Sequence, residues 1–179
     1  MRDWNESKVV GRILGELAVN DMALVSDAGT PLISDPGYKI VRAARTAGFN
    51  VVPIPGPSAV TAALSAAGLP TNKFVFWGFW SDKYELIRGA TNVIYESPNR
   101  SDRTCRIIRT KYADATVVIA QELTKIHERI EEYRGGMKFK GEVTILVWLP
   151  DGEVGKEVAA DHGNGDGDVK KGEDGGGNV

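Results

Sequence analysis

Four short segments of this 179-residue chain gather the residue types that hold ligands or move protons. The first is Ser26-Asp27-Ala28-Gly29-Thr30-Pro31-Leu32-Ile33-Ser34-Asp35-Pro36-Gly37. Such residues bend the backbone and expose N–H groups. Thr30-Pro31-Leu32-Ile33 therefore suits a small ligand held by backbone groups, with Ile33 packing on an apolar part of it. The second, Pro55-Gly56-Pro57-Ser58-Ala59, is turn chemistry in which Ser58 stands where a helix N-cap is expected. The third, Gln121-Glu122-Leu123-Thr124-Lys125-Ile126-His127-Glu128-Arg129, packs acid, base and hydroxyl groups together. Glu122 and Lys125 are three apart, as are Lys125 and Glu128, so a helical turn would pair them. The fourth, Tyr95-Glu96-Ser97-Pro98-Asn99-Arg100, offers Arg100 either as a phosphate contact or as an ordinary surface arginine. Each segment also has a plain structural reading: a tight turn, a helix cap, a solvated helix start, a charged surface.

The elements around these segments decide whether they meet. Apolar Val9, Val10, Ile13, Leu14 and Leu17 recur at helical spacing, predicting a helix over about Lys8–Val19 with Asn5 or Ser7 as its cap. Met22–Ser26 reads as a buried strand and Tyr38–Ala47 as a helix closed by Gly48. Phe49–Ile54 reads as a second strand and Ala59–Ala67 as a small-residue helix ended by Gly68. Strand, loop and helix thus repeat, the pattern of a parallel sheet with right-handed crossovers. In such a sheet ligands dock beyond the carboxyl ends of the strands, where both loops would face one crevice. Pro70 marks a change. The strands expected beyond it are Phe74–Trp80, Val93–Glu96, Val117–Gln121 and Val143–Leu149, with two helices, one at Ser101–Tyr112. The fold class is therefore α/β: a parallel α/β unit over residues 1–70, then an α+β unit over 71–150. Residues 151–179 are Gly-, Asp- and Lys-rich and are expected to be a disordered, solvated tail.

Composition narrows the functional classes. The chain is 42% hydrophobic and 26% charged with a formal net charge of −2, so the overall field does not favour nucleic acid, although a local basic patch remains open. The single cysteine, Cys105, reads as a small buried residue, and no Cys/His cluster points to a metal. No GxxxxGK[ST] is present and no GxGxxG opens a helix, which argues against nucleotide hydrolysis and dinucleotide redox chemistry. Residues 1–6 form no apolar leader, and no run approaches the ~20 residues of a membrane span. The expected location is the cytoplasm.

Taken in order, six stretches resemble one family. They are Leu24–Gly37 (LVSDAGTPLISDPG), Val52–Pro70 (VPIPGPSAVTAALSAAGLP), Phe76–Phe79, Tyr95–Arg100 (YESPNR), Ala120–Glu128 (AQELTKIHE) and Lys140–Val147 (KGEVTILV). The chain from about Trp4 to Leu149 resembles the bacterial small-subunit ribosomal RNA ribose methyltransferase I family, within the tetrapyrrole methylase superfamily. The resemblance implies a tetrapyrrole-methylase-like fold, a homodimer and the methyl donor S-adenosyl-L-methionine. It also implies transfer to a cytidine ribose 2′-oxygen in small-subunit rRNA. The donor cleft would be lined by Gly29, Thr30, Pro31, Ile33, Ser58 and Ala59 from the first unit. From the second come Tyr95, Ala120, Gln121 and Glu142.

Methyl transfer to a hydroxyl draws most of its rate from positioning and needs no metal, because the sulfonium already activates the methyl. A base, or a cation stabilising the developing alkoxide, helps the weakly acidic hydroxyl. Glu122 and Lys125, supported by His127 or Glu128, are the catalytic candidates, and Arg100, Lys83 and Arg88 the RNA contacts. Two departures accompany the resemblance. Family members carry a first, central strand with a Pro-Ile-Gly-Asn loop ahead of the part resembled by Trp4-Asn5-Glu6, and a Pro-Arg-Lys cluster between the equivalents of Phe79 and Tyr95. Weak or absent methyltransferase activity is therefore expected of this polypeptide. The alternatives are methylation of a tetrapyrrole precursor or protein, and a non-catalytic module that binds RNA or a partner.

Overall fold

The computed structural model describes residues 6–152. Its centre is a five-stranded mixed sheet in the order β1-β2-β5-β3-β4. The strands are β1 (Phe74–Phe79), β2 (Ala90–Glu96), β3 (Thr116–Gln121), β4 (Arg129–Glu132) and β5 (Val143–Leu149). β1 runs parallel to β2, and the other neighbours are antiparallel. Four helices accompany it: α1 (Glu6–Leu17), α2 (Tyr38–Thr46), α3 (Ala59–Ala66) and α4 (Pro98–Lys111). No helix of the described residues is long and apolar enough to cross a membrane.

The central strands β3 and β5 read as apolar runs because both faces of the sheet are covered there. On one face Ile94, Ile119, Ile145 and Val147 pack against Cys105 and Ile108 of α4. On the other, Val93, Val118, Ala120 and Leu146 meet Val60, Ala63 and Leu64 of α3. Cys105 is fully buried, as expected of a lone cysteine in this helix. Buried Asn92 is fully engaged: its Oδ1 accepts from Trp77 Nε1 and Ile87 N–H, and its Nδ2 donates to Ile87 O, each at 2.9 Å. That network ties the 80–89 connection to the sheet.

The tetrapyrrole-methylase-like fold is present, but three expectations are corrected. The parallel strands expected at Met22–Ser26 and Phe49–Ile54 do not form. Among the described residues, no backbone group of 22–26 or 50–56 pairs with another backbone group. A strand exists only as a member of a ladder, and with no neighbouring strand the apolar side chains stay in solvent: Val25 is 81% and Ile54 77% exposed. The second helix of the later half is also absent among the described residues. Glu122 (φ 50°) and Thr124 (φ 64°) adopt left-handed conformations that break a helix, and β4 follows instead. Most of the expected tail, residues 153–179, lies outside the described residues, as do Trp4 and Asn5.

Candidate functional site

A cleft of about 820 Å³ opens where the strand ends meet two loops of the first half. That volume lies within the ~300–1,000 Å³ usual for small-molecule sites. One wall is the loop at 28–33. The Ser26 hydroxyl donates to Gly29 O at 2.8 Å, closing the turn, and Leu32 (φ 73°) and Ser34 (φ 61°) are held left-handed beyond it. Gly29, Thr30 and Ile33 line the cleft and Pro31 does not. The second wall is Gly56–Ala59 with Thr61, Ala62 and Ser65 of α3. The two loops lock together: Thr30 Oγ1 donates to Pro57 O at 3.0 Å. A Cβ on Gly56 would sit 3.2 Å from Thr30 Oγ1, and one on Gly29 3.3 Å from Pro57 O, so both glycines are part of this fit.

Ser58 occupies the N-cap position of α3 without a side-chain capping bond. It interacts instead with the Tyr95 hydroxyl, which Val60 N–H also approaches. Burial pushes the Tyr95 phenol up, against the smaller pull of those two donors. Tyr95, near the end of β2, packs against the cluster formed with α3. Its ring meets Phe76 edge-on at 4.8 Å and Phe79 at 6.1 Å. Phe79 reaches the cleft because β1 changes register between Phe76 and Phe79, around Gly78 at φ 69°.

The third wall comes from the ends of β2 and β3 and the start of β5. Tyr95, Glu96, Ser97, Pro98, Ala120 and Glu142 line it, with Leu123, Thr124 and Lys125 at the rim. Of the four catalytic candidates only Lys125 lines the cleft. Its Nζ lies 2.8 Å from Glu122 Oε1 and 3.0 Å from Glu142 Oε2. Hydrogen bonds to Glu122 and then Glu142 hold the ammonium pKa above its ordinary value. The same bond from Lys125, then the Glu142 backbone N–H, hold the Glu122 carboxyl below its own. Glu122 is an anchor behind the rim: Oε1 accepts Glu142 N–H at 2.9 Å, and any Cβ on Gly141 (φ 62°) would fall on this carboxylate. Glu128 accepts Thr124 N–H at 2.6 Å and closes the turn, while His127 is exposed and away from the cleft.

Gln121 also turns away, its Oε1 accepting from Arg129 Nη2 at 3.0 Å. The RNA candidates lie outside the cleft. Arg88 is clamped by Asp114 at 2.7 and 3.1 Å, Arg100 is paired with Glu96, and Lys83 is exposed in the 80–89 connection. Among the described residues no group of three or more His, Cys, Asp or Glu is placed to hold a metal.

Sequence reasoning passed over Glu96 as a site residue. Its carboxylate is saturated by Ser97 N–H (2.7 Å), Arg100 Nε (2.9 Å) and Thr104 Oγ1 (2.9 Å), which fixes the Ser97-Pro98 wall. An acid closing an apolar strand just before a Ser-Pro helix start was the available signal. Thr61, Ala62 and Ser65 were passed over too, although small side chains on one helix face leave room for a ligand.

Comparison with known proteins adds the family. Residues 2–136 match the family described as Tetrapyrrole (Corrin/Porphyrin) Methylases. The chain is 44% identical over 137 residues to ribosomal RNA small subunit methyltransferase I of Xylella fastidiosa, covering 70% of this chain and 50% of that protein. It is 40% identical over 164 residues to the Escherichia coli O157:H7 protein of the same name, covering 86% of this chain and 55% of that one. The chain thus spans about half the length of the curated relatives it matches. The fold resembles the methyltransferase CobJ, with a TM-score of 0.55 and 17% identity over 81% of this chain and 77% of that one. It likewise resembles the Thermus thermophilus uroporphyrin-III C-methyl transferase complexed with S-adenyl homocysteine, with a TM-score of 0.54 and 15% identity over 79% and 72% of the two chains. By residues 2–136, the chain belongs to the tetrapyrrole methylase family.

Proposed function

We propose that the chain carries the donor cleft and acceptor-facing rim of a methyltransferase that uses S-adenosyl-L-methionine. Its acceptor is the ribose 2′-oxygen of a cytidine in small-subunit rRNA. The observation that carries this reading is the convergence of two loops and three strand ends on one cavity of about 820 Å³. The names of the relatives support the rRNA acceptor, and the homocysteine form of the donor in a fold neighbour supports the cofactor.

The cleft fits that cofactor on its own features. Backbone of Gly29-Thr30 and Gly56–Ser58 offers polar groups, while Ile33, Ala62, Pro98 and Ala120 offer apolar surface for a nucleoside. The glycines keep the loops close enough that added side chains would crowd the pocket wall. When bound, the cofactor supplies an electrophilic methyl on a sulfonium sulfur. The protein's own work is placement. Thr30 locks the loops to one another, and Tyr95 packs the end of β2 against α3. Lys125, held charged by two carboxylates, acts as a fixed cation at the rim and not as a base. A homodimer working in the cytoplasm belongs to the same reading.

The experiment is transfer from a methyl-tritiated donor to small-subunit rRNA, followed by digestion to nucleosides. Any label transferred, however slowly, is expected in 2′-O-methylcytidine. Label in a base methyl group, or label only in an added tetrapyrrole precursor, would overturn the assignment.

A further inference from the structure

We propose that Lys125 and Glu142 form a latch at the cleft rim. The Lys125 ammonium is the seat for a phosphate of the acceptor RNA strand, and the Glu142 carboxylate fills that seat until RNA displaces it. This rests on the rRNA reading above.

The two carboxylates on Lys125 are not equivalent. Glu122 has a side chain only 17% exposed. It also accepts the Glu142 N–H, and its own N–H donates to Glu142 O at 2.9 Å. It stays in place whatever happens at the rim. Glu142 has a side chain 74% exposed, and among the described residues its carboxylate bonds only to Lys125. Exposed pairs of this kind are weak and screened by salt. A phosphodiester carries the same charge and offers the same oxygen acceptors, so it can replace Glu142 without changing the charge at the ammonium. Lysine binds phosphate as a point charge and needs no bidentate geometry.

The surroundings suit a nucleotide. Ile126, at the turn tip, is 94% exposed, and Phe79 presents a half-exposed ring at the same cleft. Aromatic faces beside a cation are how single strands are held without base-specific bonds. Arg88 and Arg100 are committed to Asp114 and Glu96. With Glu142 in place the trio Glu122, Lys125 and Glu142 carries a net negative charge and repels a polyanion. Removing the Glu142 charge should therefore improve RNA binding, and only through Lys125.

The test is fluorescence anisotropy of a labelled single-stranded oligoribonucleotide of small-subunit rRNA sequence, titrated with the full chain over a range of salt. The proteins are wild type, Glu142→Gln, Lys125→Met, the double variant, and Glu16→Gln on α1 as a remote charge control. Glu142→Gln is expected to bind about 2- to 5-fold more tightly. Lys125→Met should bind more weakly and lower the slope of log affinity against log salt by about 0.7. Glu142→Gln should change nothing once Lys125 is Met. The latch is overturned if Glu142→Gln binds like wild type, if it tightens binding equally without Lys125, or if Glu16→Gln matches it. Wild-type chain that binds no RNA at any salt would defeat the rRNA reading as well, so the two failures are distinguishable.

Discussion

Replacing Glu96 by alanine perturbs the wall of the cleft at one atom group whose partners are all known. The side chain is 1% exposed, while that of Arg100 is 55% exposed. Removing the carboxylate frees Arg100 to reach water, so its lost ion pair contributes little. The Ser97 N–H, which donates to Oε1 at 2.7 Å, loses its acceptor beside the cleft, for about 1–3 kcal/mol. The Thr104 hydroxyl, 2.9 Å from Oε2, can turn back to a carbonyl one helical turn earlier and recovers most of its loss. The vacated methylenes add about 1 kcal/mol of lost packing. The expected destabilisation is about 2–4 kcal/mol. Urea unfolding measures it as a lower midpoint at constant slope. Glu96→Gln keeps an acceptor toward Ser97 and should lose only about 1 kcal/mol. A cost below about 0.5 kcal/mol for alanine, or equal costs for the two variants, would refute the claim that this carboxylate holds the wall.

Three further outcomes are expected. Burial first, then the charges of Asp102 and Glu96, push the Cys105 thiol up to about 12. The unfolded thiol ionises near pH 8.5–9 while the folded one keeps its proton, so this group costs stability as pH rises above about 9, by about 1.4 kcal/mol per pH unit. Urea unfolding at pH 9 and 10.5 should show a steeper loss in wild type than in Cys105→Ala. Thr30→Val removes the bond to Pro57 O, and should lower stability by about 0.5–1.5 kcal/mol and weaken donor binding measured by calorimetry. The double variant Val25→Lys, Ile54→Lys should keep stability within about 0.5 kcal/mol, because both side chains are already in solvent, and should reduce light scattering at high concentration.

Much of this was legible in sequence, and the exceptions have physical causes. The helices announced themselves through the spacing of Val9, Val10, Ile13, Leu14 and Leu17, and through Gly48 and Gly68 at helix ends. The core strands did so through apolar runs such as Val143–Leu149, whose two faces are covered by α3 and α4. Met22–Ser26 and Phe49–Ile54 carry the same kind of run, but whether a run becomes a strand depends on a neighbour that composition cannot show. In residues 121–129 the three-residue spacing does pair Glu122 with Lys125, but in a turn and not a helix, because the backbone at Glu122 and Thr124 takes left-handed angles to fit around Gly141 and Glu128. β4, as Arg-Ile-Glu-Glu, has little apolar pattern and is set by pairing with β3. At the site, the loop at 28–33 was found by its residue types. Which of Glu122, Lys125, His127 and Glu128 faces the cleft was decided by the turn's geometry, which only the fold contains.

The most direct test of the cleft as the donor site is a calorimetric titration of S-adenosylhomocysteine into the chain and into Ala62→Trp, which fills the wall formed by α3. Saturable one-to-one binding to the chain, lost in Ala62→Trp while its circular dichroism is unchanged, is the expected result. Absence of saturable binding, or binding that Ala62→Trp leaves intact, would contradict it.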